Sequence, residues 1–237
     1  FLFSKILNAL PEAKLGIPPS TNAFLLEALQ QRFKDEHATA LATPIPQMKF
    51  NPQQLQKIAQ ISQKSGQPVS FILPSYQVKE GKASENLRFS STYQYFAHPV
   101  EKLRPWLAAE ATQQLFPRQI KKVELNPVNT QNIDANYKVS VGLGVIQIPF
   151  NFKMRFYQPD SLQNQFNANG GDLKFVKGGM RLLPQSQGTL FQITSSMKIH
   201  DQAPFLLRAM RSIPYYDVLP AVGGNTVYAL KVQQKLR

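Results

Sequence analysis

Apolar residues recur with two different spacings along this chain, and the change of spacing divides it. Residues 23–33 (AFLLEALQQRF) carry apolar side chains every three to four positions, which predicts an amphipathic helix. A second, shorter helix is predicted from Pro52 to about Gln63, because Asn51 is a good N-cap and proline is favoured in a first helical turn. From Leu87 onward the spacing is two, which is typical of β-strands.

Regular alternation then continues to residue 199. In the first strand, residues 87–96, the odd positions from Leu87 to Tyr95 are mainly apolar or aromatic, and the even positions are polar. A helix is predicted from Pro99 to about Pro117, between this strand and the next. The later strands are predicted over residues 120–125, 137–145, 146–156, 162–167, 173–183 and 188–199. The pattern indicates a sheet with one apolar face and one polar face.

The apolar face needs a cover, and only the helix after Pro99 and residues 204–237 are available to supply it. An antiparallel, strongly curved sheet wrapped around a C-terminal helix meets this need, so we predict an α+β helix-grip fold with additional N-terminal helices. Prolines and glycines are expected to break the last helix into Ala203–Ser212 and Asn225–Leu236, with a loop over 213–224. The glycine pairs at 170–171 and 178–179 are expected at bends or bulges of the sheet.

The two ends of the chain resemble each other. Phe1-Leu2-Phe3 aligns with Phe205-Leu206-Leu207, and Gln30-Gln31-Arg32 aligns with Gln233-Gln234-Lys235. Both segments are predicted as two helices around a proline-broken loop, so one hypothesis is a tandem repeat, and chance similarity is the other. We therefore expect a helical segment at 1–34 that is the tail of a preceding domain copy, a linker with a short helix at 35–84, and a sheet domain at 85–237.

Charge bears on the class of partner. The chain has 237 residues, is 43% hydrophobic and carries a net charge of +13, so it can bury a sizeable core and attract anionic partners. Its basic residues are spread along the strands rather than clustered with stacking aromatics, which argues against nucleic acid. An anionic membrane surface fits such a diffuse charge, and a basic protein without any such partner is the alternative.

Candidate catalytic groups are scarce. The chain has no cysteine, which excludes disulfides and thiol nucleophiles. Its histidines, His37, His98 and His200, lie far apart and lack metal-ligand spacing, so we expect neither a metal site nor a cofactor. Asp172, beside Gly170-Gly171, is explained by a turn.

Several short motifs follow one another within residues 85–237. The strand 87–96 leads into His98-Pro99 and a helix with the tryptophan, and the later motifs are Val141-Gly142-Leu143-Gly144-Val145-Ile146, Gly170-Gly171-Asp172-Leu173 and Leu182-Leu183-Pro184 before Gly188-Thr189. In this order they resemble the START-like (SRPBCC) superfamily, including the bacterial polyketide cyclase/dehydrase and coenzyme Q-binding families. The resemblance implies a hydrophobic cavity between the sheet and the C-terminal helix. It also suggests a bacterial periplasm or cytoplasmic membrane surface as the location.

From this resemblance and the strand pattern we predict a binder or carrier of a hydrophobic small molecule such as a lipid, sterol or quinone. Its cavity is predicted to be lined from the apolar strand faces and the gripping helix by Phe89, Tyr93, Tyr95, Val141, Leu143, Ile148, Phe150, Phe152, Met154, Phe191, Ile193, Met197, Phe205, Leu206 and Met210. The loop before the last helix is predicted to be a gate or a membrane-contacting tip through Tyr215, Tyr216, Val218 and Leu219, with a buried elbow as the alternative.

Two other classes of function stay open. A polyketide cyclase would need general acid or base groups, for which Arg155, Tyr137, Tyr93 and Tyr95 are the candidates, although Arg155 is expected to point to solvent. An adaptor that uses the basic surface and a second domain copy would need no cavity, because the same apolar residues would then simply fill a core.

Overall fold

The computed structural model describes residues 50–80, 83–143, 146–212 and 218–237. Within these ranges only the backbone is described for residues 74–80, 83–87, 141–143, 146, 169, 174, 175, 206, 207, 210 and 219. The predicted segment 1–34 and the first helix at 23–33 lie outside the described residues. The tandem-repeat hypothesis therefore stays a prediction.

Eight strands and five α-helices make up the described chain. The strands are β1 (Val69–Glu80), β2 (Ala83–Phe96), β3 (Ile120–Pro127), β4 (Asn132–Leu143), β5 (Ile146–Asp160), β6 (Gln163–Gly171), β7 (Leu173–Gln185) and β8 (Gly188–Ile199). The helices are α1 (Pro52–Ser65), α2 (Val100–Leu103), α3 (Ala111–Leu115), α4 (Phe205–Ala209) and α5 (Leu219–Leu236), with 3₁₀ turns at Arg104–Leu107 and Met210–Ser212.

All eight strands form one antiparallel sheet in the order β1-β2-β8-β7-β6-β5-β4-β3. After β2 the chain crosses to the opposite edge through α2 and α3, and then returns strand by strand until β8 pairs with β2. Register shifts interrupt the pairing of β1 with β2, β3 with β4, β5 with β6 and β7 with β8, and such bulges bend strands.

Helix α5 lies against the inner face of this sheet. Its residues Tyr228, Ala229 and Val232 belong to one large buried cluster, the inner core, together with apolar side chains from strands β2 to β8 and from the α2–α3 segment. The arrangement confirms the predicted α+β helix-grip fold, in which a curved antiparallel sheet encloses a C-terminal helix.

The predicted start of the last helix is wrong, although it is separate from the preceding helix as expected. Helix α5 begins at Leu219 rather than at Asn225, and it includes Pro220 and the pair Gly223-Gly224. Proline is tolerated because it stands in the first turn, where its missing N–H has no intrahelical partner in any case. The expected helix Ala203–Ser212 is reduced to α4 and a 3₁₀ turn.

The assignment of 35–84 to a linker is also wrong for its described part. Strand β1 is the edge strand of the sheet, and α1 packs on the outer face of β1 and β2. Ten buried side chains form this second cluster, the outer core: Phe50, Ile58, Ala59, Val69, Phe71, Leu73, Phe89, Tyr93, Tyr95 and Leu190. The start of α1 agrees with its prediction, since Asn51 and Gln54 form a reciprocal capping box.

The two glycine pairs differ in role. Gly170 and Gly171 have φ angles of 125° and 94° and stand at the register shift between β5 and β6, as predicted. Gly178, in contrast, pairs regularly with Phe166 and Ser195 on its neighbouring strands. A Cβ at Gly178 would collide with the ring of Phe166, so this glycine makes room for an aromatic side chain.

One serine joins α1 to the sheet. The Ser62 hydroxyl donates to the Gln67 carbonyl at 2.9 Å and accepts from the Tyr95 backbone N–H at 2.9 Å. Tyr95 lies beyond Tyr93, the last residue of β2 that pairs with β1, so this N–H needs a partner from outside the ladder.

Ser62→Ala is expected to destabilise the fold by about 1–3 kcal/mol, because it leaves a buried N–H without an acceptor. Ser65→Ala, in the same turn but part-exposed, is the matched control and is expected to change stability by less than about 0.5 kcal/mol. Urea unfolding of both variants measures the difference. Equal effects would show that Ser62 is not the specific link.

Candidate functional site

A cavity of about 270 Å³ lies between the inner face of the sheet and α5. Strands β4 to β8 supply most of its wall, helix α5 supplies the opposite side, and α3 contributes Thr112. The lining residues are Thr112, Tyr137, Phe150, Phe152, Met154, Phe156, Phe166, Leu173, Val176, Met180, Ile193, Ser195, Ser196, Met197, Pro220, Ala221, Gly224, Asn225 and Tyr228.

Aromatic rings form part of the wall. Tyr137 stacks on Phe152 with ring centroids 4.7 Å apart, and Phe152 stacks in turn on Phe150 at 5.8 Å. Phe156 and Phe166 form a tilted pair at 5.8 Å. Because offset and tilted aromatic pairs favour fixed geometries, these rings give the cavity a defined apolar surface.

Two buried phenols close the cavity toward the α2–α3 segment. The Tyr137 hydroxyl donates to the Ala109 carbonyl at 2.8 Å, and the Tyr228 hydroxyl donates to the Trp106 carbonyl at 2.7 Å. Burial raises the pKa of both phenols, and a hydrogen bond from Thr112 offsets this in part for the pKa of Tyr137. Both side chains therefore stay neutral and serve as donors to backbone carbonyls.

Asn225 fixes α5 to the sheet. Its Oδ1 accepts from the Ser195 hydroxyl at 2.7 Å, and its Nδ2 lies 3.3 Å from the carbonyl oxygens of Ser90 and Ile193. The residue is buried, and buried amides that satisfy both donor and acceptor sides hold the packing of the elements they join.

The part of the lining supplied by the described residues contains no Asp, Glu, Lys, Arg or His side chain. Charged groups lie outside instead: Arg155 forms a two-pronged ion pair with Asp134 on the outer face, at 2.7 and 2.8 Å, and this hydrogen bonding lowers the pKa of Asp134.

Among the described residues no group of three or more His, Asp or Glu side chains is placed to hold a metal ion. None of the described helices combines the length and apolarity needed to cross a bilayer.

A second depression of about 430 Å³ lies between the end of β2 and the β7–β8 hairpin. Despite its larger volume it is the weaker candidate, because its walls are mostly exposed, for instance at Pro99, Glu101 and Gln187. Water solvates such a surface, whereas the cavity beneath α5 can remove a ligand from water.

Five residues of the predicted set line the cavity. They are Phe150, Phe152 and Met154 of β5 and Ile193 and Met197 of β8. Ile148 and Phe191 belong to the inner core but lie outside the lining.

Phe89, Tyr93 and Tyr95 do not line the cavity, which corrects the prediction for β2. All three point to the outer face, where they pack in the outer core with Phe50 and α1. The even positions of β2 face inward, since Phe96 belongs to the inner core and Ser90 approaches Asn225.

Phe205, which was predicted to line the cavity, does not do so. Its side chain is 72% exposed, because it belongs to the short helix α4 and not to the helix that the sheet encloses. The side chains of Val141, Leu143, Leu206, Met210 and Leu219, together with Tyr215 and Tyr216, lie outside the described residues. Val218 is fully buried just before α5, so its side chain does not form an exposed tip.

None of the α5 residues that line the cavity was among the lining residues predicted from the sequence. Ala221, Asn225 and Tyr228 recur at spacings of four and three, a helical face that the expected loop at 213–224 concealed. On the sheet, Phe156, Phe166 and Met180 were not predicted, although Phe156 lies on the face already assigned to Phe152 and Met154. The two-residue alternation of the strands was the one sequence pattern that could have identified these strand residues.

No protein-family model and no curated protein sequence matches the chain. Solved structures do resemble it. A STAR-related lipid transfer protein from Xanthomonas axonopodis is 11% identical, with a TM-score of 0.47, over 81% of this chain and 99% of that one. START-like proteins, the superfamily that the sequence motifs resemble, are thus among these structures.

Two other solved structures are also similar to the chain. An aromatase/cyclase from a Streptomyces species is 13% identical, with a TM-score of 0.46, over 63% of this chain and 96% of that one. A START superfamily protein from Mycobacterium smegmatis is 16% identical, with a TM-score of 0.41, over 63% and 99%. At these identities the similarities concern the fold alone, and the assignment of a helix-grip fold to this chain rests on its own strand order and on the position of α5.

Asn225→Ala is expected to destabilise the fold by about 1–3 kcal/mol, because the Ser195 hydroxyl loses its acceptor in a buried place. Thr226→Ala is the matched control on the next position: the Thr226 hydroxyl is buried without a hydrogen-bond partner among the described residues, so its removal is expected to be neutral or slightly stabilising. Guanidinium unfolding compares the two. A Thr226→Ala variant as unstable as Asn225→Ala would contradict the assigned role.

Proposed function

We propose that this chain binds a hydrophobic small molecule in the cavity between the sheet and α5. The observation that supports this most directly is an apolar, partly enclosed space of about 270 Å³ inside a fold whose interior would otherwise be closely packed. Such concave, mainly apolar sites with few polar groups are the usual form of small-molecule sites.

The size of the cavity limits what fits inside. Its 270 Å³ is somewhat less than twice the roughly 150 Å³ of an engineered cavity that binds benzene, so a two-ring compound or part of a longer lipid fits. Burial of apolar ligand surface is worth about 25 cal/mol per Å², which supplies the affinity.

The cyclase alternative receives less support. Of its four candidate residues, Tyr93 and Tyr95 belong to the outer core and Arg155 is paired with Asp134 outside. Only Tyr137 lines the cavity, and its hydroxyl is used by the Ala109 carbonyl. A general acid or base needs a group free to exchange a proton with the substrate, and the described lining has none with a pKa suited to that role.

Extraction of the purified protein with organic solvent, followed by mass spectrometry against a mock purification, tests the proposal directly. A hydrophobic compound in stoichiometric amount would support it and identify the ligand. Binding of N-phenylnaphthylamine, a neutral probe that fluoresces in apolar surroundings, gives an independent measurement. Absence of both a bound compound and probe binding would contradict the proposal.

Gly224→Leu is expected to lower the affinity for N-phenylnaphthylamine about tenfold or more by filling the cavity. Gly224 lines the cavity, and a Cβ at this position meets no atom within 4 Å, so a larger side chain can be attached there without a clash at its first atom. Replacing a helical glycine also adds about 0.5–1 kcal/mol of stability, so lost binding would not reflect unfolding.

Gly223→Leu provides the matched control. Gly223 is the preceding residue of α5, has equally open surroundings and does not line the cavity. This variant is expected to bind the probe as the parent does. Equal binding by both variants would place the probe elsewhere.

We also propose that ligand exchange takes place at an anionic membrane surface. The net charge of +13 favours such a surface, and α4 carries the 72% exposed Phe205 with the exposed Arg208 one turn later. This short helix follows β8 at the end of the sheet where Leu173 and Met197 line the cavity. An aromatic and a cationic side chain together suit the interface between headgroups and acyl chains.

Phe205→Ser is expected to weaken binding to phosphatidylcholine vesicles containing phosphatidylglycerol about tenfold, because a buried phenyl ring is worth about 1.5–3 kcal/mol. Val227→Ser, which replaces an apolar side chain 45% exposed on α5, is the control and should leave binding unchanged. Vesicle co-sedimentation measures both. Failure of the parent protein to bind these vesicles at low salt would refute the proposal.

A further inference from the structure

The hydrogen-bonding capacity of the cavity is unevenly distributed between donors and acceptors. Three hydroxyls and one amide in the lining have hydrogen-bond partners among the described residues, and each of their donors is used. The Tyr137 and Tyr228 hydroxyls donate to the carbonyls of Ala109 and Trp106.

The same holds on the α5 side. The Ser195 hydroxyl donates to Asn225 Oδ1 at 2.7 Å, and Asn225 Nδ2 is directed to the carbonyl oxygens of Ser90 and Ile193 at 3.3 Å. Ser196 also belongs to the lining, and its buried hydroxyl has no hydrogen-bond partner among the described residues. It is adjacent to Ser195 and pairs with Lys177, so its side chain points to the opposite face of the sheet and is not directed at a ligand in the cavity.

Acceptor lone pairs, in contrast, are left over. A serine hydroxyl oxygen has two and a side-chain amide oxygen has two, so Ser195 Oγ and Asn225 Oδ1 each keep accepting capacity after their mutual hydrogen bond. Both residues line the cavity. A bound molecule that donates a hydrogen bond can therefore be satisfied there, whereas one that only accepts finds no unused donor on Tyr137, Tyr228, Ser195 or Asn225.

Charge imposes a second selection. No cationic side chain is among the described lining residues, so a carboxylate inside the cavity would lose its hydration without gaining an ion pair there. We infer that the cavity selects an uncharged ligand whose polar group is a hydrogen-bond donor, such as a hydroxyl, and rejects the corresponding carboxylate. This inference rests on the proposed function, of which it specifies the ligand class.

Four naphthalene compounds of matched size test it: naphthalene, β-naphthol, β-methoxynaphthalene and β-naphthoate, measured at neutral pH by displacement of N-phenylnaphthylamine. We expect β-naphthol to bind about tenfold more tightly than β-methoxynaphthalene, which cannot donate; tenfold corresponds to about 1.4 kcal/mol, the size of one neutral hydrogen bond. We expect β-naphthoate to bind at least about 100-fold more weakly than β-naphthol.

The basic exterior makes the carboxylate comparison stringent. A net charge of +13 attracts β-naphthoate to the surface, so the measurements are made at about 0.15 M salt, where the screening length is about 8 Å. Only binding that Gly224→Leu removes is assigned to the cavity. Any remaining preference for the neutral compound then comes from the cavity and not from the protein's overall charge.

A pair of serine variants locates the acceptor. A reduction of the preference for β-naphthol over β-methoxynaphthalene by about fivefold or more in Ser195→Ala would assign the acceptor to Ser195 Oγ, whereas an unchanged or increased preference would assign it to Asn225 Oδ1, which this variant leaves with both lone pairs. Ser91→Ala is the control, because Ser91 is an equally buried serine that bonds to Thr194 at 2.8 Å on the opposite face of the sheet. Thermal melting of both variants checks that each is folded.

The outcomes separate the inference from the proposed function. Cavity binding of β-naphthoate as tight as that of β-naphthol, or equal affinity for the hydroxyl and methoxy compounds, would overturn the inference and leave the proposed function standing. Absence of cavity binding by N-phenylnaphthylamine and by all four compounds, naphthalene included, would overturn both. The predicted order, retained in Ser91→Ala, would establish the ligand class.

Discussion

A concave apolar sheet face has to be covered by a single helix, and the rest of the structure depends on this mismatch of shapes. Helix α5 has 18 residues and is therefore about 27 Å long. The inner face that it covers extends across a sheet of eight strands. Where α5 presents Ala221 and Gly224 to the sheet, its side chains are too small to reach the opposite wall. Interiors normally pack without voids, so the small residues of one helix create the candidate site.

Hydrogen bonds between uncharged groups hold the elements around the cavity in place. Tyr137 and Tyr228 hold the α2–α3 segment through backbone carbonyls, and Asn225 holds α5 to β8 and β2. Because burial keeps the phenols protonated and the amide has partners on both sides, the lining has polar atoms but no ionised group. Ion pairs such as Arg155–Asp134 are confined to the outer face. The strong positive charge of the chain therefore acts on encounters at the surface, while selection inside the cavity depends on shape and on hydrogen bonds.

Strands β2 to β8 were predictable because they alternate, whereas β1 lies in the segment that was predicted as a linker. The predicted strand 188–199 matches β8 in both bounds, and 173–183 falls short of β7 by two residues. Proline and glycine were weaker guides. They predicted a loop before Asn225, yet Pro220 fits the first turn of α5 and Gly223-Gly224 lie within the helix. Packing of the following apolar face against the sheet outweighed the poor helix propensity of two glycines, each of which costs about 1 kcal/mol relative to alanine.

By itself the sequence determined the alternation of the strands from residue 87 onward, the two-sided character of the sheet and the cap at Asn51, because these depend on spacings within a few residues. Which face of a strand meets the cavity was decided only by tertiary structure. Phe89 and Phe150 look alike in their alternating strands, yet one packs beneath α1 in the outer core and the other lines the cavity. Alternation defines two faces without saying what covers each, and the cover comes from two other elements, α1 and α5, whose docking the strand pattern does not encode.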